Sequence, residues 1–157
     1  MVRLATRMAP VRDNGNKVWL SEYSRLPSVT WHSAHSATLH NIRNFRYAAD
    51  GSVIPDWYSS RFSLSDVQST DLILSYWGSC HIAYVFLSFT LSPRRRIAFS
   101  VETRRHQGQA WSAWRGFLHA YPVIYVAGDE RDLIGQCLCT RKEPFTRCLS
   151  LLFMPLR

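Results

Sequence analysis

The fold is decided by residues 70–101, which read TDLILSYWGSCHIAYVFLSFTLSPRRRIAFSV. Residues 71–77 and 82–89 are short apolar runs rich in branched and aromatic side chains, which is typical of strands. Residues 96–101 alternate between apolar and other side chains, as a strand with one buried face does. Because Pro93 interrupts strand pairing, this stretch predicts a β-hairpin closed by the basic loop LSPRR.

Upstream of the hairpin, the sequence predicts one further strand and two short turns. Residues 38–47 (TLHNIRNFRY) have the composition of a strand, and Asp50 and Gly51 then favour a turn. Ser63 can cap one short helical turn, with Asp66 near its positive end.

Downstream, residues 121–127 predict another apolar strand and residues 128–130 a turn. Residues 117–120 are expected to be briefly helical. Strands therefore outnumber helices and lie close together along the chain. The predicted class is α+β, with a mostly antiparallel sheet and few short helices.

Composition and charge favour one globular domain and argue against a nucleic-acid partner. The chain has 157 residues, of which 46% are hydrophobic and 13% aromatic, enough for a real core. Its formal charge is +8, and 17 of the 19 basic residues are arginines scattered along the sequence. Without a recognition motif, this excess predicts only nonspecific attraction to anionic surfaces, so nucleic-acid binding ranks last among the functions considered.

Neither the cysteines nor the histidines have the spacing of metal ligands. Cys80, Cys137, Cys139 and Cys148 contain no C-x-x-C pair, and residues 137–139 are considered as an extended segment. We therefore predict no metal and no cofactor.

Residues 1–27 mix charge, Gly and Pro with isolated apolar residues, and we expect an arm or linker there. The basic start has no apolar segment of the kind that forms a signal peptide. The longest apolar run, residues 82–91, is well short of the roughly 20 residues of a spanning helix. On these grounds the chain expressed alone is expected in the cytoplasm.

Several segments together resemble a known family in order and spacing. They are HNIRNFRY (40–47), TDLILSYWG (70–78), IAYVFLSF (82–89), FSVETRR (99–105) and YVAGDERDLI (125–134). Over residues 13–143 the sequence resembles domain of unknown function four-one-zero-five, the family of Lnb-type lipoprotein N-acyltransferases. The resemblance implies a bacterial cell-envelope domain at the periplasmic side of the inner membrane, with a permuted papain-like (NlpC/P60-like) fold.

The resemblance also implies a thiol mechanism, in which a cysteine carries the acyl group and a histidine activates it. Where the family has Ile-Ala-His, this chain has Ile82, Ala83 and Tyr84, and a phenol of ordinary pKa about 10 is a poor base. His81 lies three residues earlier and would face the opposite side of a strand, so it is a weak substitute unless a bulge intervenes.

The family nucleophile lies in an Asn-Cys-Thr motif beyond the position of Glu143, and the sequence contains no such triplet. Cys80 precedes His81 directly, so the two would diverge on a strand and could not readily share a proton. The resemblance thus implies residues 28–143 as a partial, inactive domain. Residues 144–157 then form a divergent tail such as a frameshift produces.

Other polar residues of the motifs are candidates for substrate contacts. Glu102 and Arg104 would share one face of a strand and orient a polar head group, or else form a surface ion pair. Asp129 opens the acidic turn 129–132 and is expected to cap a helix rather than to catalyse.

The alternative to an impaired acyltransferase-like domain is a non-catalytic binding module. In it, Arg94, Arg95 and Arg96 and the aromatic surface would hold lipid head groups or a partner protein. The partners implied by the two hypotheses are a lipoprotein or an anionic phospholipid.

Overall fold

In the computed structural model, the described residues are 18–76, 81, 83–110, 112, 121–140 and 145–151. They form ten strands and one α-helix, with short helical turns at Ser21–Tyr23, Leu64–Asp66 and Gln136–Thr140. The strands are β1 (Ser28–Trp31), β2 (Ser36–Arg43), β3 (Arg46–Tyr47), β4 (Val53–Ile54), β5 (Trp57–Ser63), β6 (Ser69–Tyr76), β7 (Ala83–Ser92), β8 (Arg95–Thr103), β9 (Val123–Asp129) and β10 (Phe145–Leu151). The helix α1 spans Glu130–Gly135.

Most strands belong to one sheet with the order β1-β2-β9-β8-β7-β6-β10, and β5 also pairs with β2. All neighbours in it run antiparallel except β2 and β9, which meet in parallel at Arg43 and Gly128. The strands β3 and β4 form a separate two-stranded hairpin. The prediction of an α+β fold with a mostly antiparallel sheet is confirmed.

The predicted central hairpin is present, with a tighter turn than expected. Strand β7 continues to Ser92 and β8 begins at Arg95, which pairs with Ser92, so only Pro93 and Arg94 form the turn. Leu91 is buried within the strand rather than in a loop. Pro93 occupies the turn, where its missing N–H removes no ladder hydrogen bond.

The predicted strand over residues 38–47 is divided into β2 and β3. The pairing of β2 shifts register between Leu39 and Ile42, and Asn41 between them has a left-handed φ of 56°. The Asp50 turn is confirmed, since its carboxylate accepts the Ser52 N–H at 2.8 Å and Gly51 has a φ of 84°. The sequence did not indicate β1 or β5.

Both predicted helix caps are confirmed. Ser63 and Asp66 form a reciprocal capping box around the turn Leu64–Asp66. Asp129 precedes α1, and its carboxylate accepts the backbone N–H of Arg131 at 3.0 Å.

Alternation along the central strands builds a core on each face of the sheet. One cluster consists of Leu39, Ile42, Leu91, Ile97 and Ala127. The cluster on the opposite face lies beneath α1 and consists of Ile73, Phe86, Ala98, Leu133 and Cys137. Cys137 lies in the helical turn Gln136–Thr140, so the extended conformation considered for residues 137–139 is wrong.

Both ends of the described chain join the sheet. Residues 18–27, expected as an arm, contribute Tyr23, which is 2% exposed and packs with Ile124 and Val126. Trp19 also bridges to His106. In the expected tail, Phe145–Leu151 is strand β10, whose backbone pairs antiparallel with β6.

Gly128 is required where β9 meets α1. A Cβ there would lie inside van der Waals distance of Leu133 Cδ1 and 3.4 Å from the Arg43 carbonyl oxygen. Gly128→Ala is therefore expected to lower the free energy of unfolding by about 1–3 kcal/mol, measured by urea denaturation. In a Leu133→Ala background the same change should cost much less, and equal costs in the two backgrounds would contradict the packing argument.

Candidate functional site

The candidate site is built around the carboxylate of Glu102, which is 6% exposed near the end of β8. Its Oε2 accepts a hydrogen bond from the Tyr23 hydroxyl at 3.0 Å. Its Oε1 accepts from the Tyr84 hydroxyl at 2.8 Å and from the Ser100 hydroxyl at 3.0 Å. We call these four residues the Glu102 cluster. Hydroxyl donors of this kind stabilise a buried carboxylate in its charged form.

Strand geometry explains why these side chains meet. Ser100 and Glu102 are two residues apart on β8, so their side chains lie on the same face. Phe86 pairs with Ser100, so continuing that antiparallel register places Tyr84 opposite Glu102. Tyr23 comes from the turn Ser21–Tyr23, 79 residues away in sequence. The sequence predicted that alternate residues of β8 share one face, but it did not indicate that Tyr23 would contact Glu102.

Arg104 lies beside the cluster and is buried with it. Its Nε donates to the backbone oxygen of Tyr23 at 3.2 Å, and its guanidinium lies 3.9 Å from the centre of the Trp19 ring. Both Glu102 and Arg104 are 6% exposed. Neither side chain therefore lies at the surface, where the ion-pair alternative placed them, because residues 18–23 cover this end of β8.

His81 precedes strand β7 rather than lying on it. It lies in an exposed turn before that strand begins at Ala83, so the expectation that it faces away from Tyr84 on the same strand is wrong. Cys80, which was considered with it, lies outside the described residues. Tyr84 of β7 reaches Glu102 through its hydroxyl.

The three arginines of the β7–β8 turn do not form one surface. Arg94 is exposed in the turn, whereas Arg95 donates to the Ser60 hydroxyl and, at 3.0 Å, to the Arg61 backbone oxygen on β5. Arg96 instead forms an ion pair with Glu130 of α1 at 3.2 Å. Neighbouring residues of a strand face opposite sides, so the guanidinium groups of Arg95 and Arg96 diverge.

A second buried polar group joins β2 to α1. Arg43 and Asp132 are 1% and 0% exposed, and Arg43 Nε donates to Asp132 Oδ2 at 2.9 Å. Arg43 Nη2 also donates to Gln136 Oε1 at 2.8 Å. The remaining carboxylate oxygen of Asp132 accepts from the Tyr47 hydroxyl at 2.8 Å, and Oδ2 also accepts the Phe45 N–H.

Electrostatics within this second group favour the charged pair. Burial by itself lowers the pKa of Arg43, but Asp132 and then Glu102 raise it, and the net shift is upward. Burial also raises the pKa of the Tyr47 phenol, and the Asp132 carboxylate raises it further. The sequence motifs 40–47 and 125–134 contain Arg43 and Asp132 respectively, yet nothing in either motif indicated that the two side chains would pair.

Among the residues whose placement the structure describes, no group of histidine, cysteine or acidic side chains is arranged to hold a metal ion. Within the same part of the chain, no helix is both long enough and apolar enough to span a membrane.

Comparison with known proteins identifies the family. The sequence model described as Lnb N-terminal periplasmic domain matches residues 54–143, which is more than half of the chain. The chain belongs to this Lnb family. The matched range contains Tyr84, Glu102 and Asp132, whereas Tyr23 and Arg43 precede it. No curated protein and no solved structure matches the chain.

The buried pair of the Lnb domain should dominate its stability. Arg43→Met leaves the Asp132 carboxylate buried without its cation, so we expect the free energy of unfolding to fall by about 3–5 kcal/mol in urea denaturation. Arg96→Met, which removes a partly exposed ion pair, is the matched control and should cost about 1 kcal/mol or less. Similar losses for the two variants would contradict a special role for the buried pair.

The stability of the domain should also fall at high pH because of Tyr47. Its pKa is raised in the folded state, so the folded protein retains a proton that the unfolded chain releases above about pH 10. The stabilisation is complete below that pH and is lost as the pH rises towards the folded-state pKa. Tyr47→Phe should make the decline in unfolding free energy less steep, whereas Tyr125→Phe, at an exposed tyrosine, serves as the control. An unchanged pH dependence in Tyr47→Phe would refute the assignment.

Proposed function

We propose that this Lnb-family domain is a catalytically impaired relative of the lipoprotein N-acyltransferases that it resembles. The observation that carries the proposal is the hydrogen bond from Tyr84 to Glu102. The resemblance puts the catalytic histidine at the position of Tyr84, and the phenol there donates its proton to a carboxylate at 2.8 Å.

This geometry favours a structural role for Tyr84 over a role as a base. A base must accept a proton from the nucleophile, and the phenol has to lose its own proton first. Loss of that proton would place two negative charges within hydrogen-bond distance, which is unfavourable in a buried site. An imidazole at the same position could instead accept a proton on one nitrogen while the other donates to the carboxylate.

The rest of the cluster fits a catalytic site that keeps its supporting carboxylate, Glu102, but lacks the histidine base. A buried acidic side chain that orients a histidine is a recurring part of thiol and hydroxyl nucleophile sites, and Glu102 lies where it could do so. The packing of α1 against the sheet supports the inference of a permuted papain-like arrangement. A lipoprotein and anionic phospholipid are the partners that this inference implies.

A head-group-binding module is a weaker second candidate. The exposed position of Arg94 favours it, but Arg95 and Arg96 are directed to opposite faces and contact Ser60 and Glu130. The β7–β8 turn therefore presents Arg94 and an Arg96 that is already paired with Glu130, rather than a cluster of three arginines.

The proposal is tested by acyl transfer. The purified chain and Tyr84→His are each mixed with phospholipid vesicles and a lipopeptide that has a free α-amino group, and the products are followed by mass spectrometry. We expect no N-acylated peptide from either protein, because the histidine restores only a base and the sequence has no Asn-Cys-Thr triplet.

An Lnb-family enzyme that retains the histidine and the cysteine motif is the positive control. Tyr84→Phe is the matched variant that removes the hydroxyl without adding a base, and circular dichroism checks that each variant is folded. Acyl transfer by the unmodified chain would show that the domain is active and would overturn the proposal. Transfer by Tyr84→His alone would show that the chain carries a competent nucleophile.

A further inference from the structure

The outer face of strands β1, β2 and β5 carries a row of histidines and hydroxyls that the Glu102 cluster does not use. The opposite face of these strands contributes Ala37 and Leu39 to the core. The outer face is formed by six residues: Thr30, His32, Thr38, His40, Ser59 and Arg61. We call it the histidine–hydroxyl face.

Register places these side chains next to one another. Thr38 of β2 pairs with Thr30 of β1 on one side and with Arg61 of β5 on the other, so the three form one row across the strands. Neighbouring strands are about 4.8 Å apart, so this row spans roughly 10 Å. His32 follows Thr30 by two residues and His40 follows Thr38 by two residues. Because β1 and β2 run antiparallel, the two histidines flank the row on opposite sides.

Hydrogen bonds hold the face in one arrangement. His32 Nε2 is 2.7 Å from Thr38 Oγ1. The His40 ring joins three strands, with Nε2 3.0 Å from Thr30 Oγ1 and Nδ1 3.2 Å from Ser59 Oγ. These contacts orient the rings and hydroxyls before any ligand arrives, which lowers the entropic cost of binding.

Arg61 gives the face a fixed positive charge. Its Nε donates to Ser36 Oγ at 3.3 Å, which orients an otherwise exposed guanidinium. The sequences of β1, β2 and β5 contain no Asp or Glu. Asp66, in the turn after β5, accepts the backbone N–H of Ser63 at 2.7 Å. The donors of the face are therefore not neutralised by an acidic residue on the same strands.

We propose that the histidine–hydroxyl face binds a phosphate group. Arg61 is the charged partner, and the hydroxyls of Thr30 and Thr38 are the further donors. The rings of His32 and His40 contact these two hydroxyls and hold them in position. A phosphate has oxygens in several directions and can accept from donors on adjacent strands at once, whereas a carboxylate presents only two oxygens. The phosphate can belong to a soluble phosphate compound or to the head group of an anionic phospholipid. This proposal does not depend on the role of Tyr84.

The first arm of the test uses inorganic phosphate. Backbone amide signals are followed by NMR during titration at constant ionic strength, with chloride replacing phosphate in the reference series. We expect saturable shifts concentrated in β1, β2 and β5. Arg61→Gln should weaken the affinity about tenfold, because a hydrogen bond to a charged group is lost.

Arg46→Gln is the matched control, since it removes one positive charge from an exposed strand residue outside the face. It should leave the phosphate affinity within about twofold of the original value. His40→Gln keeps hydrogen-bonding groups but removes the imidazole, and should weaken binding without unfolding the domain. Thermal denaturation checks that all three variants are folded.

The second arm distinguishes the two sources of phosphate. Sedimentation with phosphatidylcholine vesicles, with and without phosphatidylglycerol, measures binding to a lipid head group. Binding of inorganic phosphate that Arg61→Gln weakens supports a soluble ligand. Binding only to phosphatidylglycerol vesicles, lost in Arg61→Gln and kept in Arg46→Gln, supports a lipid ligand. Equal effects of the two arginine variants, or no binding in either arm, overturn the proposal.

Discussion

The ion pair between Arg43 and Asp132 is the interaction on which the arrangement of this domain depends. It joins the end of β2 to α1 through two residues that are 89 positions apart in sequence, at the point where β2 and β9 meet in parallel. Two buried charges are costly unless each finds a partner and further hydrogen bonds. Tyr47, Gln136 and the Phe45 N–H provide those bonds. The position of α1 over the sheet is therefore fixed by directional hydrogen bonds as well as by apolar contacts.

The Glu102 cluster depends on the same packed layer between the sheet and α1 as the Arg43–Asp132 ion pair does. Tyr84 belongs to the cluster and also packs against the core beneath α1, which includes Phe86 and Cys137. The charge on Glu102 in turn helps to raise the pKa of Arg43. A change in either polar group therefore alters the electrostatic surroundings of the other, and the family-matched region is coupled to residues that precede it.

Local chemistry in the sequence was enough to predict the elements that form from neighbouring residues. The β7–β8 hairpin, the Asp50 turn and the caps at Ser63 and Asp129 all depend on contacts within a few residues. The partners of Glu102 and Asp132 could not be predicted in this way, because Tyr23 and Arg43 come from distant segments. Tyr23, which lies within the segment expected as an arm, could not be placed for a similar reason, because it is buried against Ile124 and Val126 of the distant strand β9.

The parallel contact between Arg43 and Gly128 also has a consequence for how the chain folds. The pairs β6–β7 and β7–β8 connect neighbouring segments, and so does β2–β5, so each group can form with short loops to close. Joining the two groups requires β9 to return to β2 and loses the entropy of a much longer loop. Closing this loop brings Asp132 to Arg43. Any local opening that separates β2 from β9 therefore exposes the buried charges of Arg43 and Asp132 to water.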